Sequence, residues 1–272
     1  MISNFTFKDN YCFNDLIEIM QLLRSEDGCL WDREQDHQSI KHNFIEETYE
    51  VVEAINKADL DLLKEELGDV LLQVVFHSQI ESEKGSFNIN DVTDGICKKL
   101  IERHPHVFGD IIANNTETVL SNWDDIKRAT KGQKTQSDSM ISVPRELPAL
   151  MRSEKVQQKA AKIGFDFDDI NGTLDKLSEE IEELKSAINN NDKDNSFEEL
   201  GDVLFSAVNV ARFLDLHAED ALTSSTDKFI NRFTVVENLA KERNIDMKSS
   251  SIKVLDNLWD EAKLIHDPDE IP

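Results

Sequence analysis

The chain has 272 residues, enough for one large domain or two ordinary ones. Lys and Arg number 30 against 55 Asp and Glu, and the formal charge of −25 opposes nonspecific binding to duplex nucleic acid and docking on anionic membranes. With only nine Gly and five Pro and 31% charged residues, the composition favours helix.

The N-terminal stretch MISNFTFKDNYCFND has no basic start followed by an apolar run, so no signal peptide is expected. No apolar run approaches the roughly 20 residues of a spanning helix. Cys12, Cys29 and Cys97 are odd in number and form no CxxC, which argues against a disulfide framework or a cysteine zinc site. A reducing, cytoplasmic location is expected.

In chain order, Gly28, Trp31 and Asp32 (GCLWD) come first. Ile45, Tyr49, Val52 and Ile55 then recur at helical spacing, and AINKADLD makes a polar turn. Leu63, Leu67, Val70, Leu71, Val74 and Val75 mark the next helix. A short turn between amphipathic helices implies antiparallel neighbours. A third helix is expected at about 90–104, ended by Pro105, and a fourth, shorter one carries Trp123. Residues 131–148 are polar, hold Pro144 and Pro148, and read as a linker.

The chain then repeats itself. Residues 44–76 and 177–209 align without a gap and share 16 of 33 positions. Lys99 and Arg103 return as Lys228 and Arg232, on a helix expected at about 216–243. Trp123 and Lys127 return as Trp259 and Lys263, and GCLWD returns as GFDFD at 164–168. The same elements occur twice in the same order, and no alternating strand pattern is present. The expected fold is all-α: two homologous helical-bundle domains, at 1–130 and 149–272.

Glu47 and Glu50 are three apart on one helix face, and Glu66 and Asp69 are three apart on the next. Antiparallel packing would bring the faces together. Four converging carboxylates repel one another unless a cation joins them. An all-oxygen set suits a hard ion such as Mg²⁺, with Mn²⁺ as a substitute. Glu180, Glu183, Glu199 and Asp202 repeat the pattern, preceded by Glu179 as Glu46 precedes Glu47. Gly68 and Gly201, inside helices, suggest close approach of another backbone or a ligand. Lys228 with Arg232, and Trp259 with Lys263, are pairs four apart that suit phosphate charge and a flat base or ribose. Glu34 and His37 form E-x-x-H once, His77 aligns with Val210, and no P-loop or GxGxxG is present.

EExxE followed by ExxD, twice, resembles MazG, a family of nucleoside triphosphate pyrophosphohydrolases in the all-α NTP pyrophosphatase superfamily. ERHPHVFGD and VPRELPALMRSEKVQQKAAKIGFDF are similar to its long, two-domain form. The resemblance implies Mg²⁺-dependent hydrolysis of NTPs and dNTPs to monophosphate and pyrophosphate, broad in base, by a homodimer, in control of the nucleotide pool. It implies that the C-terminal copy is catalytic: Glu180, Glu183, Glu199 and Asp202 hold the metal, while Lys176, Lys228, Arg232, Trp259 and Lys263 contact the nucleotide. Glu179 would orient or deprotonate the attacking water. Glu47, Glu50, Glu66 and Asp69 form a possible second metal site. Some relatives carry a Lys shortly before ExxD, where this chain has Asn195 and Ser196 with Lys193 nearby. Two other readings stay open: a noncatalytic module that binds nucleotides or a partner, and a pyrophosphatase narrow for one modified or pyrimidine nucleotide.

Overall fold

The computed structural model describes residues 5–110 and 132–266, with positions 115, 119, 123, 126, 128 and 130 between them. Among these residues there is no strand, and no helix is long and apolar enough to cross a membrane. The chain divides into two compact units, one up to Lys127 and one from Arg128.

The first unit holds α1 (Phe13–Arg24), α2 (Leu30–Glu34), α3 (His37–Asn56), α4 (Leu60–Glu83), α5 (Ile89–Arg103) and the single turn α6 (Pro105–Phe108). Trp123 lies in a further helical stretch, and Lys127 lies outside the described residues. The second unit holds α7 (Gln136–Ile141), α8 (Ala149–Ala161), α9 (Ile170–Asn189), α10 (Lys193–Phe213), α11 (Ala218–Glu242) and α12 (Ile252–His266). The duplication reaches further upstream than the carboxylate motifs, because α1 and α8 both pack on the second helix of their hairpin. Pro105 follows the end of α5, whereas α11 runs on for 25 residues. Residues 132–148, expected as linker, include α7, which packs on α8. Gln136 donates to the Lys159 carbonyl, and Lys159 Nζ lies 2.6 Å from Ser139 Oγ.

Each unit is organised by a helix hairpin, α3–α4 and α9–α10. Asp59 and Asp192 cap the second helices by accepting from backbone N–H groups two or three residues on. The first helices end in left-handed residues, Ala58 at φ 53° and Asn191 at φ 55°. The following N–H then reaches back to Ala54 O and Ala187 O, at 3.1 Å in both copies. Ala54 and Ala187 are fully buried, and their small side chains let the two helices close near the turn.

The inner stripe of α3 runs Ile40, Glu47, Ala54, and that of α9 runs Thr173, Glu180, Ala187, each at seven-residue spacing. A carboxylate therefore sits in the middle of the packing stripe. Ile45, Tyr49, Val52 and Ile55 are displaced to a neighbouring face and are 41–56% exposed, as are Leu67 and Leu71 on α4 to similar extents. The apolar stripe read from the sequence is thus not the face on which this hairpin closes. The first core gathers Met20, Ile40, Val75, Phe76, Ile80 and Ile89, where α1 meets α4. The second gathers Val236, Leu239, Ala240, Leu258 and Ala262 between α11 and α12.

Candidate active site

The hairpin register builds the site. Glu50 lies seven residues before Lys57, and Glu66 lies seven after Asp59; Glu47 and Asp69 are each ten away from the same two residues. In an antiparallel pair with 1.5 Å rise per residue, Glu50 therefore faces Glu66 and Glu47 faces Asp69. The same arithmetic pairs Glu183 with Glu199 and Glu180 with Asp202.

The structure brings these groups together in both units. Single oxygens of Glu47, Glu66 and Asp69 all lie within 4.8 Å of one another, and so do those of Glu180, Glu199 and Asp202. Burial raises the Glu47 pKa, followed by the charges of Asp69 and Glu50; burial raises that of Glu66, followed by the charges of Glu50 and Asp69. Glu50 thus belongs to the first group. In the second, a hydrogen bond with Glu180 raises the Glu183 pKa, with burial next. Glu180 is 6% exposed, while Asp202 is open to solvent. One side of the second cluster is held by packing and the other is accessible, whereas Glu47, Glu66 and Asp69 are all half-buried. The donors are carboxylate oxygens throughout, the set that a hard divalent cation takes.

Lys176 joins the second cluster. Its Nζ lies 2.8 Å from Glu180 Oε1 and 3.0 Å from Glu179 Oε1. These carboxylates hold its ammonium protonated well above the usual lysine range. Glu179 itself is exposed, on the outer edge of α9.

The remaining predicted contacts lie on α11 and α12. Phe229 and Trp259 are 5.1 Å apart between centroids, and Phe229 stacks on Phe233. Arg232 is buried, Lys228 is exposed one turn earlier, and Lys263 pairs with Asp260 at 2.9 Å. In the first unit the Arg103 guanidinium lies 5.0 Å from the Trp123 ring centroid. Asn195 and Ser196 are committed to the start of α10, both bonded to Asp192. Gly68 and Gly201 do not mark a close approach within the chain, because a Cβ at either would meet nothing within 4 Å.

Residues 35–108 and 169–236 match the MazG nucleotide pyrophosphohydrolase domain. The chain belongs to the MazG family.

The protein is 45% identical over 251 residues to the nucleoside triphosphate pyrophosphohydrolase/pyrophosphatase MazG of Thermotoga maritima, covering 92% of this chain and 95% of that one. It is 42% identical over 253 residues to the nucleoside triphosphate pyrophosphohydrolase of Escherichia coli K12, covering 91% and 95%. It is also 46% identical over 252 residues to YabN of Bacillus subtilis, of which it spans 51%. Each matched MazG segment holds a complete carboxylate quartet. Trp259 and Lys263 lie beyond the second segment.

Two features of this MazG chain are not apparent from its motifs. His37 and His77 are bonded Nδ1 to Nδ1 at 2.7 Å, with His37 Nε2 2.7 Å from Glu81. E-x-x-H spacing points to Glu34, whereas the actual partners come from the next helix. The other feature is a cavity in the second unit, lined by Gln157, Phe165, Phe205 and Asn209 among others. Its only sequence signal is the set of positions at which the two copies differ.

Proposed function

We propose that the chain hydrolyses nucleoside triphosphates, ribo and deoxy and of any common base, to monophosphate and pyrophosphate, with the second unit as the catalytic one. The carrying observation is the convergence of Glu180, Glu199 and Asp202 from two antiparallel helices, with Glu183 beside them and Lys176 attached. The names of the Thermotoga and Escherichia relatives support the same chemistry.

The donor set fits Mg²⁺, with Mn²⁺ as a substitute, held by Glu180, Glu183, Glu199 and Asp202. Glu47, Glu50, Glu66 and Asp69 would hold a second ion. Bound there, the ion supplies positive charge for the triphosphate and acidifies the attacking water. Glu179, exposed beside the cluster, orients that water and takes its proton. Lys176, paired with Glu180, would offer its ammonium to a phosphate oxygen of the bound nucleotide. Lys228 and Arg232 stabilise the charge of departing pyrophosphate, while Trp259 and Lys263 hold the sugar end of the nucleotide.

The resemblance implies a homodimer, and the outward stripe of Ile45, Tyr49 and Val52 supplies an apolar face for it. In the second unit the equivalents of these three are Ser178, Glu182 and Lys185, while Ile55 of the same stripe returns as exposed Ile188. The substrate is the cytoplasmic nucleotide pool.

The test is purified protein with Mg²⁺ and each common NTP and dNTP, with products resolved by ion exchange and an EDTA control. Monophosphate plus pyrophosphate, lost in EDTA, is expected. Diphosphate plus phosphate would mean the wrong bond, and binding without turnover would mean a noncatalytic module.

A further inference from the structure

The two carboxylate quartets match in their acids and differ at the level next to them. Asn43 lies fourteen residues before Lys57 and Gln73 fourteen after Asp59, so the antiparallel register sets them opposite each other. Lys176 and Ser206 hold the matching positions about Asn190 and Asp192. In each hairpin this level is one helical turn beyond the acids, on the side away from the connecting turn. The first unit thus has two carboxamides where the second has an ammonium and a hydroxyl.

In the second unit the ammonium is already on the acids. Lys176 Nζ lies 2.8 Å from Glu180 Oε1 and 3.0 Å from Glu179 Oε1. Glu180 is also one of the three residues whose carboxylate oxygens lie within 4.8 Å of one another. A metal ion at this cluster meets a positive charge that shares one of its ligands, and like charges repel strongly at such range. A triphosphate relieves the conflict. It gives the ammonium other oxygens and adds its own to the ion, the usual company of Mg²⁺ at phosphate sites.

The first unit has no such internal charge. Among the described residues, none of Glu47, Glu50, Glu66 and Asp69 forms an ion pair with Lys or Arg. The lysines close to them in sequence are engaged elsewhere. Lys41 donates to Gln38 Oε1 at 3.1 Å, Lys57 pairs with Glu53, and Lys64 lies 3.7 Å from Asp61. Gln73 is 7% exposed, and its Oε1 is buried without a hydrogen-bond partner among the described residues. A buried acceptor left open costs free energy until a donor reaches it. Gln73 is four residues beyond Asp69 and so shares its face of α4. Four acids, a neutral oxygen beside them and no internal cation make a set that a hard divalent ion can occupy without a phosphate to complete it.

Resting on the metal-dependent reading above, we propose that the first quartet is a nucleotide-independent divalent-cation site, filled in the free protein, and that the second takes its ion only together with a triphosphate. Asn43 and Lys176 set the difference. The resident ion joins α3 to α4, and Gln73 Oε1 accepts from a water that the ion keeps.

Exchanging the two residues tests this. Mn²⁺ binding to the full chain without nucleotide is followed by electron paramagnetic resonance, which reads the free ion, with helix content checked by circular dichroism. The wild type is expected to bind one Mn²⁺ per chain. Glu47→Gln should abolish that binding, and Glu180→Gln should leave it intact. Asn43→Lys should weaken it by about tenfold or more, Gln73→Met by about tenfold, and Lys176→Asn should add a second ion. Two equivalent ions in the wild type, no ion at all, or one ion lost in Glu180→Gln but kept in Glu47→Gln would overturn the proposal. So would Lys176→Asn with no ion gained. Should Asn43→Lys not fold, Lys176→Asn and Gln73→Met carry the comparison. ATP turnover in Mg²⁺, measured in parallel, separates this proposal from the reading it rests on. Turnover without a nucleotide-free ion removes the resident site and leaves the hydrolase standing. One Mn²⁺ with the expected variant pattern but no turnover keeps the site and removes the hydrolase.

Discussion

Lys176 Nζ lies 2.8 Å from Glu180 Oε1, so the second carboxylate cluster carries its own cation. The first cluster has Asn43 at the equivalent position. There burial, and after it the neighbouring carboxylates, raises the pKa values of Glu47 and Glu66.

A divalent ion should therefore stabilise the chain, and more at neutral than at acid pH. Glu47, Glu66 and Glu183 bind protons more tightly folded than unfolded. Without metal, stability falls as pH rises from the ordinary carboxylate value of 4.5 through their raised values. A metal ion replaces the proton and removes that loss. Thermal melts in Mg²⁺ and in EDTA at pH 5 and pH 7 should show the larger shift at pH 7, about 2.7 kcal/mol at a hundredfold excess over Kd. An equal shift at both values, or one retained in the double variant Glu47→Gln, Glu180→Gln, would contradict this.

The His37–His77 contact gives a second pH dependence of opposite sign. Burial, then the His37 charge, lowers the His77 pKa. Glu81, held at about 2 by Lys84 and His37, stays ionised across the neutral range. Stability from His77 is fully present above the ordinary value of 6.5 and is lost as pH falls below it. His77→Val, which installs the residue of the second copy, should flatten the melting-temperature slope between pH 7.5 and 5.5. A slope unchanged in that variant would refute the assignment.

Much of this was legible in the sequence. The duplication, the hairpins and the carboxylate register follow from spacing alone, because a helix pair joined by a short turn fixes which residues share a level. The outward direction of Ile45 and Tyr49 was not. Periodicity marks an apolar face without saying what it meets, and here the inner stripe goes to Glu47 and Ala54. Helix α1 carries no motif, and α8 lies within a stretch that carries family resemblance but no carboxylate motif; they differ where Arg24 of one aligns with Ala160 of the other. The cavity is legible only by comparing the copies residue by residue.

Ala58 holds a left-handed conformation that costs a residue with a Cβ about 1 kcal/mol. Ala58→Gly should stabilise the chain by up to about 1 kcal/mol in urea melts, since Gly takes this conformation freely. A loss of stability would mean that the methyl packs usefully in the turn.

Tyr49 is 51% exposed at the centre of the apolar stripe, where the second copy has Glu182. Tyr49→Glu should shift the protein from dimer to monomer in sedimentation at micromolar concentration, with helix content unchanged. A dimer of undiminished strength would place the interface elsewhere.

Which quartet performs hydrolysis is decided by comparing Glu180→Gln with Asp202→Asn against Glu47→Gln with Asp69→Asn, with NTP turnover in Mg²⁺ as the readout. Removing metal ligands at the working site forfeits several kcal/mol of charge stabilisation, more than a hundredfold in rate. The second-unit pair should lose that much with unaltered helix content, while the first-unit pair keeps most of its activity. Full turnover in the second-unit pair, or its loss only in the first, would contradict the assignment of catalysis to Glu180, Glu183, Glu199 and Asp202.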